Sequence, residues 1–192
     1  MTRISSEDAE REAMHTVANL MAAAARTAPK GRGVDAIRTM VVEGEDIETL
    51  ARTMDEVAPG RPDIVTNAIH RDANNVRDSH FVVLIGVSGA PKKPENPFDC
   101  GACGLKTCAN LIRARQKADA SSDFFGPSCV VAAIDLGVAL GSAAKLAADH
   151  SIDNRLMYTM GIAAAKLKWL DADVVIGIPL STTGKSIFFD RG

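Results

Sequence analysis

The chain has 192 residues, enough for one compact domain with room for an insertion. Hydrophobic residues make up 46%, charged residues 24% and aromatics 4%, and the formal net charge is -2. That balance allows a sizeable core. It excludes a basic field for nucleic acid and a base-stacking surface, so no nucleic-acid partner is expected.

The first twelve residues, MTRISSEDAERE, are polar and acidic, unlike a secretory signal. Ser5 and Ser6 precede Glu7, Asp8 and Glu10, a hydroxyl cap followed by first-turn acids. Apolar residues then recur at helical spacing from Met14 to Ala24, which predicts a helix over Ser6–Thr27. Pro29-Lys30-Gly31-Arg32-Gly33 ends it in a tight basic loop. Ala36–Glu43 reads as a strand, and residues 45–58 and 62–80 as helices. Phe81–Ser88 is nearly all apolar, as a strand covered on both faces would be. Beyond Gly89 the texture becomes Pro-, Gly-, Ser- and Asp-rich, broken by a short helix near Leu105–Ala118. We read 89–129 as an insertion in an α/β (α+β) domain formed by 1–88 and 130–192, with four or five strands. Cys129–His150 follows as a helix rich in Ala, Gly and Ser, suited to a buried position or a dimer interface. Asn154–Leu170 reads as a helix, Ala172–Leu180 as a buried strand and Ser186–Phe189 as a short strand. The longest apolar stretches, Phe81–Val87 and Cys129–Leu140, fall short of the roughly 18 residues of a membrane span, the second being interrupted by Asp135. A cytoplasmic protein without a membrane partner is expected, with its thiols reduced.

Three of the four cysteines lie in DCGACGLKTC, giving the spacing Cys100-x2-Cys103-x4-Cys108-x20-Cys129. In a reducing compartment such clustering suggests metal or redox chemistry. A [4Fe–4S] cluster takes four thiolates, commonly three from one loop and one from a distant segment. Gly101 and Gly104 would let the backbone wrap it closely. Zinc with four cysteine ligands prefers two short C-x2–4-C pairs, and the second pair is missing. Buried reduced cysteines acting as small hydrophobes are the plain alternative. Asp99 and Asp123 read as loop residues near the cysteines, able to influence a cluster potential. His15, His70, His80 and His150 form no H-x3-H pair, and no G-x-S-x-G elbow is present. STTGKS lacks the first glycine of a P-loop, because Pro179 stands at its position.

The segment CGACGLKTCANL, with the later Cys129, resembles a small iron–sulfur domain of pattern C-x-x-C-G-x-x-T-C found in corrinoid iron–sulfur proteins and electron-transport subunits. The resemblance implies a [4Fe–4S] cluster held by Cys100, Cys103, Cys108 and Cys129. The frame around it resembles the flavin-dependent nitroreductase-like fold in AAAARTAPKG, EDIETLARTM, AAIDLGVALGSAAKLAADHSID and DADVVIGIPLS. The whole arrangement is similar to a group of uncharacterised ferredoxin-domain-containing proteins. That likeness implies a mixed sheet flanked by helices, a homodimer and FMN at its interface. The chain departs from the pattern near its start, where only Arg3 and Arg11 stand, and at residues 30–35, which replace the Asn and Gln near the flavin ring. Lys30, Gly31, Arg32, Gly33 and Asp35 remain as a basic Gly-rich loop that can offer N–H groups and cations to an anion. Lys185 and Arg191 in the tail could meet a phosphate; without a ligand, each is a solvated cation. The expected function is an iron–sulfur redox protein whose electron transfer is coupled to a flavin-dependent reduction. Its electrons would be exchanged with a partner protein or a small-molecule acceptor. The alternatives are a flavin-free electron carrier or docking module, and a structural zinc protein.

Overall fold

The computed structural model describes residues 3–119 and 122–189. Helix α1 covers Ser6–Thr27, and the Ser5 side chain caps it by accepting the Asp8 N–H at 3.1 Å. A single 3-10 turn, Gly31–Gly33, leads into β1 (Ile37–Glu43). Helices α2 (Glu45–Val57) and α3 (Asp63–Arg77) follow, then β2 (Phe81–Val87). The chain next runs irregularly to α4 (Cys108–Gln116), and returns through α5 (Val130–Asp149), β3 (Asp153–Asn154), α6 (Tyr158–Lys166) and β4 (Val174–Ser181).

The sheet order is β1-β2-β4-β3, and all three pairings are antiparallel, which puts the fold on the α+β side of the expected class. Central β2 is buried at all seven positions because helices cover both faces. Phe81, Val83, Ile85 and Val87 face α1 and α5; Val82 and Leu84 face α2, α3 and α6. Each such side chain contributes about 1.5–3 kcal/mol of burial. Ile37, Val87 and Val174 share one end of the sheet, and Glu43, Phe81 and Leu180 share the other. The first rim carries the 31–33 turn, residues 88–119 and 122–129, and the start of α5. It is where the candidate site is built.

Three sequence expectations change. Residues 153–157 are extended rather than helical, because Asp153 and Asn154 pair with Ser181 and Leu180 and Met157 bridges Gly177. Residues 186–189 turn instead of forming a strand: Phe188 packs into the core facing α2, α3 and α6, and Arg155 lies 5.5 Å over the Phe189 ring. Finally, α5 is long and apolar enough to cross a membrane by length and composition alone. Asp135 does not shorten it, because that carboxylate is buried in an ion pair as α5 packs on α1 and the sheet.

Candidate functional site

Beyond β2 the chain leaves the sheet, and every residue from Lys93 to Cys100 is exposed. Asp99, Gly101 and Gly104 adopt left-handed φ values of 46°, 70° and 80°. Glycine tolerates these angles without a Cβ clash, so the cysteine loop can curl tightly. The Gly104 N–H donates to Gly101 O at 2.8 Å, and the Cys108 N–H donates to Asp99 Oδ1 at 2.6 Å. Asp99 therefore closes the loop across nine residues. Thr107 caps α4 by accepting the Asn110 N–H at 3.2 Å, which sets Cys108 in the first turn. Cys129 is the N-cap residue of α5, and its N–H donates to Gly89 O at 2.8 Å. All four cysteines are free thiols; Cys100 is exposed and the others are partly exposed.

Among the described residues, no three His, Cys, Asp or Glu side chains gather closely enough to hold a single metal ion. A zinc site needs four thiolates around one point, at about 2.3 Å from the metal. An iron–sulfur cube binds each thiolate at a different corner, so its donors stand farther apart. The donor set, four reduced thiols on a glycine-turned loop and a helix start, fits the cluster by its chemistry.

Beneath the loop lies a buried ion pair that sequence reading missed. Lys92 Nζ contacts Asp135 Oδ2, with both side chains 4% exposed, and donates to Val34 O at 2.7 Å. The other Asp135 oxygen accepts the Gly31 N–H at 2.8 Å. Burial pushes the Lys92 ammonium down from its ordinary range, an effect that the nearby Cys129 and Asp35 oppose. One pair thus ties the start of the cysteine arm, the 31–33 turn and the Cys129 end of α5 into one unit. A lone acid in an apolar helix was the available signal: it requires a cation.

The Lys30–Asp35 loop is at the same rim, with its polar groups already engaged. Lys30 Nζ donates to the α1 carbonyls of Ala25, at 2.9 Å, and Arg26. Asp35 pairs with Arg26 at 2.8 Å. The Gly33 and Val34 N–H groups donate back to Lys30 O and Gly31 O. Arg32, at φ 61°, donates to Asn96 O and lies 4.5 Å over the Phe98 ring. A Cβ at Gly31 would overlap Val131 Cγ1. The loop is therefore locked to α1, α5 and the cysteine arm. It does not present an open anion cradle. Lys185 follows the C-terminal end of β4, at the other rim of the sheet, and Arg191 lies outside the described residues. The structure brings Lys30–Asp35 to the first turns of α5, at Val131 and Asp135, and does not bring Lys185 to them.

The segment that returns to α5 is anchored separately. Arg61 grips Asp123 with two hydrogen bonds, at 2.5 and 3.0 Å, and the Tyr158 hydroxyl donates to Asp123 at 2.6 Å. The guanidinium holds the Asp123 carboxyl below its ordinary range. Burial, then the bond to Asp123, pushes the Tyr158 phenol up to about 12. Arg61 and Asp123 border a cleft of about 520 Å³ with Phe124 and Lys166.

Comparison with known proteins places the chain. A protein of Archaeoglobus fulgidus, described as uncharacterized, is 44% identical over 189 residues, 98% of this chain and 97% of its own. The family model for uncharacterized proteins containing a ferredoxin domain (DUF2148) matches residues 125–191. This chain belongs to that family. The match takes in Cys129 and the frame after it; Cys100, Cys103 and Cys108 lie before it. The fold of this ferredoxin-domain protein is nitroreductase-like. A nitroreductase with bound FMN from Bacteroides fragilis superposes with a TM-score of 0.54 at 11% identity, covering 95% of this chain and 80% of its own. A nitroreductase with bound FMN from Desulfitobacterium hafniense gives 0.51 at 14% identity, covering 96% and 81%. At these identities the likeness is one of fold.

Proposed function

We propose that this ferredoxin-domain protein is an iron–sulfur redox protein in which Cys100, Cys103, Cys108 and Cys129 hold a [4Fe–4S] cluster. The observation that carries the reading is the set of four free thiols, three on a loop turned by Gly101 and Gly104 and one at the start of α5. A cluster bound there supplies one-electron transfer. The chain's own part is to hold and shield it. Asp99 closes the loop, the Gly89 carbonyl fixes the Cys129 backbone, and the buried Lys92–Asp135 pair joins the start of the cysteine arm to α5. A structural zinc site is the weaker alternative, since the cysteine spacing lacks the second short C-x2–4-C pair that such a site prefers.

A flavin is the second component to test. FMN is bound in the nitroreductases of like fold, which favours a coupled flavin-dependent reduction. The inward-turned donors of Lys30–Asp35 favour a flavin-free carrier, and we adopt that reading for the protein in this conformation. We further propose a homodimer in the cytoplasm, packed through α5. Its outer face exposes Ile134 and Val138 beside Gly137 and Gly141, where added atoms would meet open space. Anaerobic purification with iron, sulfide and flavin analysis tests the set. Iron and sulfide without flavin is the expected outcome; stoichiometric zinc without iron would sink the redox reading.

A further inference from the structure

Positive charge is concentrated around the cysteine loop. Residues 89–118 carry six Lys or Arg and two Asp or Glu, whereas the whole chain carries 22 and 24. The rest of the protein is therefore acidic, with 16 cations against 22 anions. Of the six cations, Lys92 and Arg115 are tied inward, to Asp135 and Asp173. Lys93, Lys106, Arg113 and Lys117 are exposed. The opposing acids are Glu95 and Asp99, and the Asp99 carboxylate already accepts the Cys108 N–H. Within this basic stretch Phe98 is 58% exposed, two residues from the exposed Cys100. The arm bearing Phe98 is held in place at its base by buried Lys92 and along its length by Arg32, which bonds Asn96 and stacks on the ring.

We propose that this face, formed by Phe98, Lys93, Lys106 and Arg113, docks an acidic one-electron carrier protein against the Cys100 end of the loop. The proposal rests on the iron–sulfur reading for its purpose, though the docking chemistry does not require the cluster. Electron-transfer encounters are small and short-lived, and opposite charge speeds and orients them. A fixed, exposed ring amid cations gives such an encounter an apolar centre with a charged surround. The acidic remainder of the protein repels the same partner, which restricts docking to this face.

The test is titration of the full chain, prepared anaerobically, with a plant-type [2Fe–2S] ferredoxin as the acidic probe. Binding is followed by calorimetry and by amide shifts at about 20 mM and about 300 mM salt, on either side of physiological screening. Binding should weaken at least about tenfold at the higher salt, with shifts centred on residues 93–113. Lys93→Glu/Lys106→Glu/Arg113→Glu should weaken it about tenfold or more at low salt, and Phe98→Ala by about threefold. Lys106→Glu alone, the mildest change, should show the same direction, whereas Lys145→Glu near the far end of α5 should have no effect. Unchanged affinity in the triple variant overturns the proposal. So does equal binding of a basic cytochrome c, of a redox-inactive protein of equal negative charge, or of single-stranded DNA. Iron analysis of the same sample separates the two readings. Docking without iron removes the cluster and keeps the surface; iron without docking removes the surface and keeps the cluster.

Discussion

Lys93–Cys100 projects from the fold with every residue exposed, whereas Lys30–Asp35, at the same rim of the sheet, turns its cations and N–H groups inward. Both stretches contain lysine, and both lie beside turns that glycine permits. The difference lies in what surrounds them. The 30–35 loop sits between the C-terminal carbonyls of α1 and the buried Asp135, so its donors have partners within the chain. The arm follows Lys92, whose burial against the same Asp135 lets the next eight residues stand clear. A Gly-rich basic loop thus becomes a structural joint, and the stretch beside it becomes the accessible face of the site.

The sharpest way to break this contrast is to remove a thiol. Cys103→Ala should reduce bound iron from about four per chain to near zero while leaving the far-ultraviolet circular dichroism and the unfolding midpoint close to wild type. Loss of folding would show the loop to be structural, like its neighbour. Next in size is the joint itself. Asp135→Asn leaves the Lys92 ammonium buried without its counter-charge, and should cost about 3–5 kcal/mol in urea unfolding. An apolar replacement of both partners, Lys92→Met/Asp135→Leu, should recover most of that loss. Gly31→Ala forces a methyl group against Val131 and should cost about 1–3 kcal/mol by the same measurement. An unchanged stability would mean that the loop is free to move away from α5.

The smallest effect concerns how the chain is anchored at Asp123 on its way back to α5. The chain has a single tyrosine, so phenolate absorbance reports Tyr158 alone. Its folded value of about 12 lies above the ordinary 10.0. The neutral phenol is therefore favoured by the fold. Its contribution to stability is complete below pH 10 and is lost as pH rises through about 12. Asp123→Asn should bring the midpoint down towards 10 in protein that retains its circular dichroism. Asp123 has the opposite sign: its lowered value contributes stability above the ordinary carboxylate range, lost as pH falls through the folded value.

The sequence was most legible where a local rule was strong. Ser5 and the acids after it marked the start of α1, and the apolar run from Phe81 marked a strand covered on both faces. The cysteine spacing marked the loop. The two-residue strand β3 has no periodicity to read, since its pairing is set by β4. Residues 186–189 looked like a strand because two aromatics adjoin, but Phe188 goes into the core and Phe189 stays outside on a turn. Long-range ion pairs were the least legible. Lys92 and Asp135 are 43 residues apart, and Arg61 and Asp123 are 62 apart. No local signal joins them, and those pairs decide which loop is open and which is locked.

The central claim is that the four thiols hold an iron–sulfur cluster, and metal analysis of anaerobically purified protein tests it most directly. The account predicts brown protein with about four irons and about four sulfides per chain, bleached on reduction. Colourless protein carrying about one zinc per chain would contradict it.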